Sequence, residues 1–219
     1  MELSSATQWR IKINCIVMMQ NRGYDILDEE LELLKEKQTG ELDDEYLNVV
    51  YTADDKPNTL VSLAFNETLN KEAVIEIINL AEEQECKKII LVINSLKYIG
   101  ASGLNELSTR SNQIQTTLFT AEEMIVNPTA HIYSPKYRKL TEREKENLAK
   151  EINFKQLPLL RFSDIRELKL ETKQQRSKLI HDQVVKYLDF QPGDVIEEKG
   201  VNFPLNLMVR EYIIYRYVK

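Results

Sequence analysis

The sequence predicts a mixed α/β (α+β) fold with two domains. A continuous apolar run at residues 88–93 is typical of a strand buried on both faces, and helical apolar patterns lie before and after it in the chain. Proline-containing turns then interrupt the chain at 127–129 and 134–136. The 219 residues are enough to bury two small cores. We therefore predict an N-terminal α/β domain at residues 1–130 and a smaller mixed α/β domain at residues 131–219.

The first helix is predicted from an apolar stripe with helical spacing that begins at Trp9 and is ended by Gly23. The predicted stripe comprises Trp9, Ile13, Ile16, Val17 and Gln20, and the opposite face carries Arg10, Lys12 and Asn14. A second helix is predicted over 28–37, because its acids come early and its lysines late, matching the helix dipole. Two short strands are predicted after it, at 47–52 and 60–65.

The rest of the chain is predicted from caps, turns and apolar runs. Asn70 is placed to cap a helix, and residues 100–103 are small enough to form a turn before the next helix. Residues 141–144 have the Thr-x-x-Glu pattern of a capping box. Two closing strands are predicted at 194–198 and 211–218, after a Pro-Gly turn.

The composition argues against a protein that binds nucleic acid alone. The net charge is −6, whereas autonomous DNA binders use a basic face to neutralise phosphates. The longest apolar run, Ile89–Ile93, is too short to cross a membrane, and the N-terminus has no secretory pattern. Cys15 and Cys86 fall in apolar segments and form no C-x-x-C pair, which predicts buried thiols in a reducing, intracellular compartment.

The sequence contains no obvious set of catalytic or metal-ligating residues. Its two histidines, His131 and His181, are far apart in the chain and have no cysteine cluster near them. We predict no catalytic residue, no metal site and no cofactor. His131 is assigned instead to backbone contacts at the domain junction.

The loop Lys97-Tyr98-Ile99-Gly100-Ala101-Ser102 has small residues that permit close backbone approach to a phosphate or a partner. It lacks the G-x-x-x-x-G-K-[ST] pattern of a P-loop. Two interpretations stay open. One is an ordinary strand-to-helix turn, and the other is the phosphate or nucleotide site of a small α/β enzyme at the Gly100–Gly103 turn.

The closing strand is rich in aromatic residues and arginine. Alternate residues of a strand share a face, so Tyr212 and Arg216 lie on one face and Tyr215 on the other. Tyrosine and arginine are enriched at interface hot spots, because they bury a large area with few rotamers. We predict that part of this strand belongs to the core and that the rest contacts a partner.

Short motifs, in order along almost the whole chain, resemble one protein family. They are Trp9-Arg10-Ile11, Asn21-Arg22-Gly23-Tyr24, Asp28-Glu29-Glu30-Leu31, Lys88-Ile89-Ile90-Leu91-Val92, Ile99-Gly100-Ala101-Ser102-Gly103, the segment from Glu123 through Asn127 and His131 to Pro135, Gln156-Leu157-Pro158, Asp182-Gln183-Val184, Pro192-Gly193-Asp194-Val195-Ile196 and Arg210-Glu211-Tyr212-Ile213-Ile214-Tyr215-Arg216. In this order they are similar to the motifs of the fifth subunit shared by the eukaryotic nuclear RNA polymerases, which has a counterpart in the archaeal enzyme.

The resemblance implies a non-catalytic subunit of a multisubunit DNA-directed RNA polymerase. Residues 1–130 would form a jaw domain beside downstream duplex DNA, and residues 131–219 an assembly domain docked on the largest subunit. The DNA-proximal residues implied are Lys97, Tyr98, Gly100, Ala101 and Ser102. The subunit-interface residues implied are His131, Tyr212, Tyr215 and Arg216. The other polymerase subunits are further expected partners, and no membrane or small-molecule substrate is expected.

Several departures from the family motifs suggest a divergent form. The family's proline-serine-alanine loop is glycine-alanine-serine at 100–102, its D-P-V has lost the proline at Gln183, and a charged insertion occupies residues 161–180. This divergence favours the polymerase of a large cytoplasmic DNA virus, or of an unusual protist, over that of an animal or a yeast. The expected location is then the viral factory or the virion, and it is the nucleus for a cellular protein.

Two alternatives to the polymerase interpretation lead to different structures. The small α/β enzyme predicts a concave pocket that contains titratable groups with shifted pKa values. A regulatory adaptor that shares only the assembly-domain fold would lack the motifs of the first helix. The polymerase subunit instead predicts extended interfaces and no such pocket.

Overall fold

The computed structural model describes residues 3–35, 40–65, 68–130, 134–160, 182–202 and 210–219. They fall into two compact units, the first ending at Val126 and the second beginning at Asn127. Both units combine helices with a mixed sheet of four strands, so the mixed α/β class is confirmed. In the described ranges, no helix has the length and apolar content needed to cross a membrane.

The first unit is built on a sheet with strand order β1-β2-β3-β4. Its strands are β1 (Asn48–Ala53), β2 (Lys56–Ala64), β3 (Lys88–Ile93) and β4 (Gln115–Thr120). β1 and β2 are antiparallel, whereas β3 lies parallel to both β2 and β4. Its helices are α1 (Ser5–Asn21), α2 (Asp28–Leu33), α3 (Lys71–Glu83), α4 (Ala101–Arg110) and α5 (Ala121–Ile125). α3 and α4 are the crossovers that two successive parallel strand pairs require.

The central strand β3 confirms the apolar run that predicted it. Residues Ile89 to Ile93 are at most 1% exposed. Ile89, Leu91 and Ile93 pack with residues of α3 and α4 on one face of the sheet. α1 and α2 contact Tyr51 of β1, which lies on the opposite face. Helices therefore cover both faces, which explains why the strand is apolar throughout.

In the first unit, the predicted start of α3 and the predicted end of α1 are confirmed, whereas α1 begins at Ser5, earlier than predicted. Asn70 caps α3, because its Oδ1 accepts a hydrogen bond from the Ala73 amide at 2.8 Å. Gly23 follows the end of α1 with φ of +75°, a conformation that glycine adopts without strain. α2 ends at Leu33 and is thus shorter than predicted. β4 and α5 were not predicted as a strand and a helix.

The predicted orientation of α1 was wrong at Lys12. Lys12 was placed on the exposed face, yet it is 1% exposed and lies on the buried side with Cys15. Its Nζ lies 2.6 Å from Glu30 Oε1, and Tyr51 donates a hydrogen bond of 2.6 Å to the same oxygen. The free-energy cost of burying these two charges is reduced because the lysine and the carboxylate form a hydrogen-bonded ion pair.

The Lys12–Glu30–Tyr51 cluster joins three elements of the first unit. Burial, and secondarily the Glu30 carboxylate, raise the pKa of the Tyr51 phenol far above its ordinary value. The phenol therefore stays protonated and remains a donor. Burial also raises the pKa of the nearby Cys15 thiol to about 12, although Lys12 opposes that shift. Cys15 is consequently an inert buried thiol rather than a nucleophile.

The second unit has a sheet with strand order β5-β7-β8-β6. Its strands are β5 (Lys136–Lys139), β6 (Leu159–Leu160), β7 (Val195–Asn202) and β8 (Arg210–Val218), and its helices are α6 (Glu142–Ala149) and α7 (Gln183–Tyr187). β7 pairs antiparallel with β5 and β8, and β6 pairs parallel with β8. Leu160, Val185, Phe190, Ile196 and Val218 form its core. The closing strands are confirmed, whereas β5 and β6 were not predicted.

The capping box at the start of α6 is confirmed. Thr141 Oγ1 accepts the Glu144 amide at 3.3 Å, and Glu144 Oε2 accepts the Thr141 amide at 2.8 Å. The Thr141 amide, followed by the Arg138 guanidinium, lowers the pKa of Glu144 to about 2. Arg138 also bonds to Glu197 of β7, so the cap of α6 is tied to the sheet.

Candidate functional site

The loop between β3 and α4 is held in one conformation by its own backbone. Ser95 Oγ accepts the Lys97 amide at 3.2 Å and opens a short 3-10 turn over Leu96–Tyr98. Leu69 then forms a parallel bridge with Ile99, donating to the Tyr98 carbonyl at 2.7 Å and accepting from the Gly100 amide at 3.1 Å. This loop is therefore anchored to the segment before α3.

The structure brings the five predicted DNA-proximal residues together on this loop and the first turn of α4. Lys97, Ala101 and Ser102 are exposed, whereas Tyr98 and Gly100 are half-buried. Lys97 is the one cation among residues 95–102. The exposed start of α4 presents amide groups that have no partner within the helix.

The prediction of a turn over 100–103 was wrong, because α4 already begins at Ala101. Gly103 is buried inside the helix rather than open to a ligand. A Cβ added at Gly103 would lie 2.8 Å from the Leu69 carbonyl oxygen and 3.3 Å from the Asn70 carbonyl oxygen. The glycine thus permits close packing of α4 against the chain's own backbone, so it does not support a phosphate-binding turn.

The surroundings of the loop carry mixed charge. Lys71 at the start of α3 lies 3.9 Å from Glu106, which also pairs with Arg110 at 3.5 Å. The charges of Lys71 and Arg110 are partly compensated by Glu106 of α4. Lys97 therefore supplies most of the positive charge with which this edge could meet a phosphate.

In the second unit, β8 places two of the predicted interface residues against a buried acid. Arg216 forms an ion pair with Glu198, and Tyr212 donates to the other Glu198 oxygen at 3.2 Å. Glu198 is 5% exposed, so these bonds compensate the burial of its charge. The Tyr212 ring lies over Gly200, where a Cβ would come within 2.7 Å of Cε1.

Tyr215 lies on the other face of β8 and lines a small surface pocket with Arg138, Glu144 and Glu197. Tyr212, Tyr215 and Arg216 are all half-buried. Each thus packs within the second unit and keeps part of its surface accessible. The contact of this strand with a partner stays a prediction.

The sequence analysis missed two apolar residues on the same strand. Ile213 is 53% exposed and Ile214 is 37% exposed, and they lie on opposite faces. Consecutive apolar residues that interrupt the polar-apolar alternation of a strand were the signal that could have identified them. Exposed apolar side chains beside tyrosine and arginine are typical of a protein interface.

The predicted interface residue His131 and the predicted insertion at 161–180 lie outside the described residues, as does the second histidine, His181. In the ranges that the structure describes, no group of three or more His, Cys, Asp or Glu side chains is arranged to hold a metal ion. Cys15 and Cys86 are both buried free thiols.

Comparison with known proteins identifies the family. No protein-family model matches the chain. However, subunit 5B of the DNA-directed RNA polymerases IV and V of Arabidopsis thaliana is 30% identical over 169 residues, which cover 72% of this chain and 75% of the relative. The chain belongs to the RNA polymerase subunit 5 family. The family resemblance of the sequence motifs is thereby confirmed, and it spans most of both chains.

Proposed function

We propose that this chain is a non-catalytic subunit of a multisubunit DNA-directed RNA polymerase. The observation that carries the proposal is its similarity to a polymerase subunit across about three quarters of the relative's length. In this proposal the second unit is the assembly domain that docks on the largest subunit, and the first unit is the jaw domain beside downstream DNA. Catalysis takes place in other chains.

The location follows from the assembly. An RNA polymerase subunit works inside the cell, and a cellular member of this kind would act in the nucleus. The relative is a plant protein, so a viral origin stays a prediction made from the divergent motifs.

The docking surface that we propose is the exposed part of β8. Ile213 and Ile214 supply apolar area, and Tyr212 and Arg216 are held in fixed positions by Glu198. Fixed side chains lose less conformational entropy on binding, which is the advantage that a preorganised interface has. Tyr215 lies beside Ile213 on the face opposite to Tyr212 and Arg216, and it also belongs to the proposed docking surface. His131 stays a predicted interface residue.

Replacing Ile213 with aspartate is expected to weaken docking on the largest subunit roughly 30-fold, as for a hot-spot residue worth about 2 kcal/mol. A charge would have to be buried where an apolar side chain had been. The measurement is the amount of largest subunit that co-purifies with the tagged full-length chain, as a function of salt.

Leu27→Asp is the matched control, because Leu27 is 53% exposed like Ile213 but lies in the first unit. Leu27 is also the N-cap of α2, a position that aspartate favours, so this variant should fold. Equal losses in the two variants would argue against β8 as the docking surface.

The DNA contact that we propose is small and independent of sequence. Lys97, the Ser102 hydroxyl and the first amides of α4 are accessible on one edge of the first unit. Such groups contact phosphates, which position a protein on a duplex without selecting bases. With a single lysine and a net charge of −6, the contact depends on the polymerase holding the chain near the duplex.

Lys97→Ala is expected to lower the salt dependence of downstream-DNA binding by the assembled polymerase by about one unit of slope. When one phosphate contact is lost, DNA binding releases about one counterion fewer. The measurement is the dissociation constant for duplex DNA over a series of salt concentrations. Lys87→Ala is the control, since Lys87 is exposed just before β3, at the opposite end of that strand from the loop. An unchanged slope in Lys97→Ala would contradict the contact.

A further inference from the structure

The first unit contains a large groove that neither proposed interface uses. Its cavity volume is 810 Å³, and we call it the acidic groove. Its apolar lining includes Leu47, Leu63, Ala73, Ile77 and Leu80, and its rim includes Glu41, Asp44 and Glu76. The groove lies between the beginning of α1, the strands β1 and β2, and α3.

The floor of the acidic groove is an apolar stripe at the margin of the core. α3 buries one stripe of residues completely, at Val74, Ile78 and Ala81. A second stripe, at Ala73, Ile77 and Leu80, is only half-buried and lines the groove. These three residues pack against the core and also line the groove, so the apolar arc of α3 extends beyond its completely buried stripe.

The charge of the rim selects the kind of ligand. Glu41, Asp44 and Glu76 are exposed, and the described lining residues include no lysine or arginine. Nucleic acid is repelled by such a surface. An apolar floor beneath an uncompensated acidic rim is instead complementary to apolar side chains flanked by lysine or arginine.

A buried hydroxyl adds a polar contact point to the floor. Ser62 of β2 is 3% exposed and lines the groove. The backbone of a bound polypeptide offers groups with which the Ser62 hydroxyl could form a hydrogen bond.

We propose that the acidic groove is a docking site for a basic amphipathic segment of a partner protein. Apolar side chains of the segment would cover Ile77 and Leu80, and its lysines or arginines would face Glu41, Asp44 and Glu76. The residues that line this groove include none of β8 and none of the loop at 95–100. The proposal does not depend on membership of a polymerase, and it holds for the free chain.

The test uses two synthetic probes, an amphipathic Leu/Lys peptide and its Leu/Glu counterpart with the same pattern. Each is titrated into the ¹⁵N-labelled full chain, and amide shifts are followed by NMR. The Leu/Lys peptide is expected to give saturable shifts confined to residues that line the groove. The Leu/Glu peptide is expected to give none.

Glu76→Lys is expected to weaken binding of the Leu/Lys peptide roughly five- to tenfold, by removing an attraction and adding a repulsion. Glu83→Lys is the matched control, because it makes the same charge change at an exposed position of α3 outside the groove. Equal weakening in both variants, shifts spread over other acidic surfaces, or equal binding of the two peptides would overturn the proposal.

Discussion

Replacing Lys12 with methionine is expected to lower the free energy of unfolding of the first unit by about 3–5 kcal/mol, the usual cost of removing one partner from a buried ion pair. Glu30 is 2% exposed and would be left with only Tyr51 as a hydrogen-bond donor. In the described ranges, its second oxygen has no hydrogen-bond partner. The carboxylate therefore depends on Lys12 more than a solvated carboxylate would.

The measurement is urea unfolding of the full chain followed by tryptophan fluorescence. Trp9 is the single tryptophan, is 6% exposed and lies in α1, so its emission reports on the first unit. The double variant Lys12→Met/Glu30→Gln should recover most of the loss, because no unpaired charge remains and glutamine still accepts from Tyr51.

Lys71→Met is the matched control for the Lys12 experiment. It removes a lysine that is 3.9 Å from Glu106 and whose side chain is 54% exposed. Exposed pairs of this kind contribute at most about 1 kcal/mol. A loss in Lys12→Met no larger than that in Lys71→Met would show that the buried pair does not stabilise the fold.

Replacing Gly103 with alanine is expected to destabilise the first unit by about 1–3 kcal/mol, although alanine is the better helix former by about 1 kcal/mol. The new Cβ would lie 2.8 Å from the Leu69 carbonyl oxygen and 3.2 Å from Val74 Cγ2. A backbone carbonyl cannot move aside as a flexible side chain can. α4 would therefore be displaced from α3, and valine at this position should cost more than alanine.

Gly100→Ala separates this effect from a general intolerance of side chains in the loop. A Cβ at Gly100 would meet its nearest atoms at 3.6 and 3.7 Å, which is ordinary contact. Its cost should stay below about 1 kcal/mol, mainly from a weaker N-cap. The account of Gly103 fails if both alanine variants unfold at the same urea concentration.

Elements with strong local signals were predictable from the sequence. β3 is apolar throughout, Asn70 is a good cap, and Thr141-x-x-Glu144 specifies the start of α6. β4 was missed because Gln115–Thr120 is largely polar. Its strand state comes from parallel pairing with β3, a long-range interaction that no local pattern encodes.

The orientation of α1 was harder to predict, because the helix is buried over more than one stripe. Ile11, Cys15 and Met18 lie on one side of the predicted stripe and are fully buried. Lys12 lies among them because α2 supplies Glu30 as its partner. Only the tertiary structure reveals a partner 18 residues away in the chain.

The candidate interfaces were predictable as segments but not as surfaces. The residues of the loop at Lys97 are adjacent in the chain, so their proximity does not depend on long-range contacts and could be predicted from the sequence. The exposure of Ile213 and the engagement of Arg216 by Glu198 depend instead on which strands and helices cover β8.

The most direct test of the central claim is affinity purification of the tagged full-length chain from its native source at low salt, with quantitative mass spectrometry of the bound proteins. The polymerase account predicts that the two largest RNA polymerase subunits are recovered in equal stoichiometry with the tagged chain. Recovery of the chain alone, or with proteins other than polymerase subunits, would contradict it.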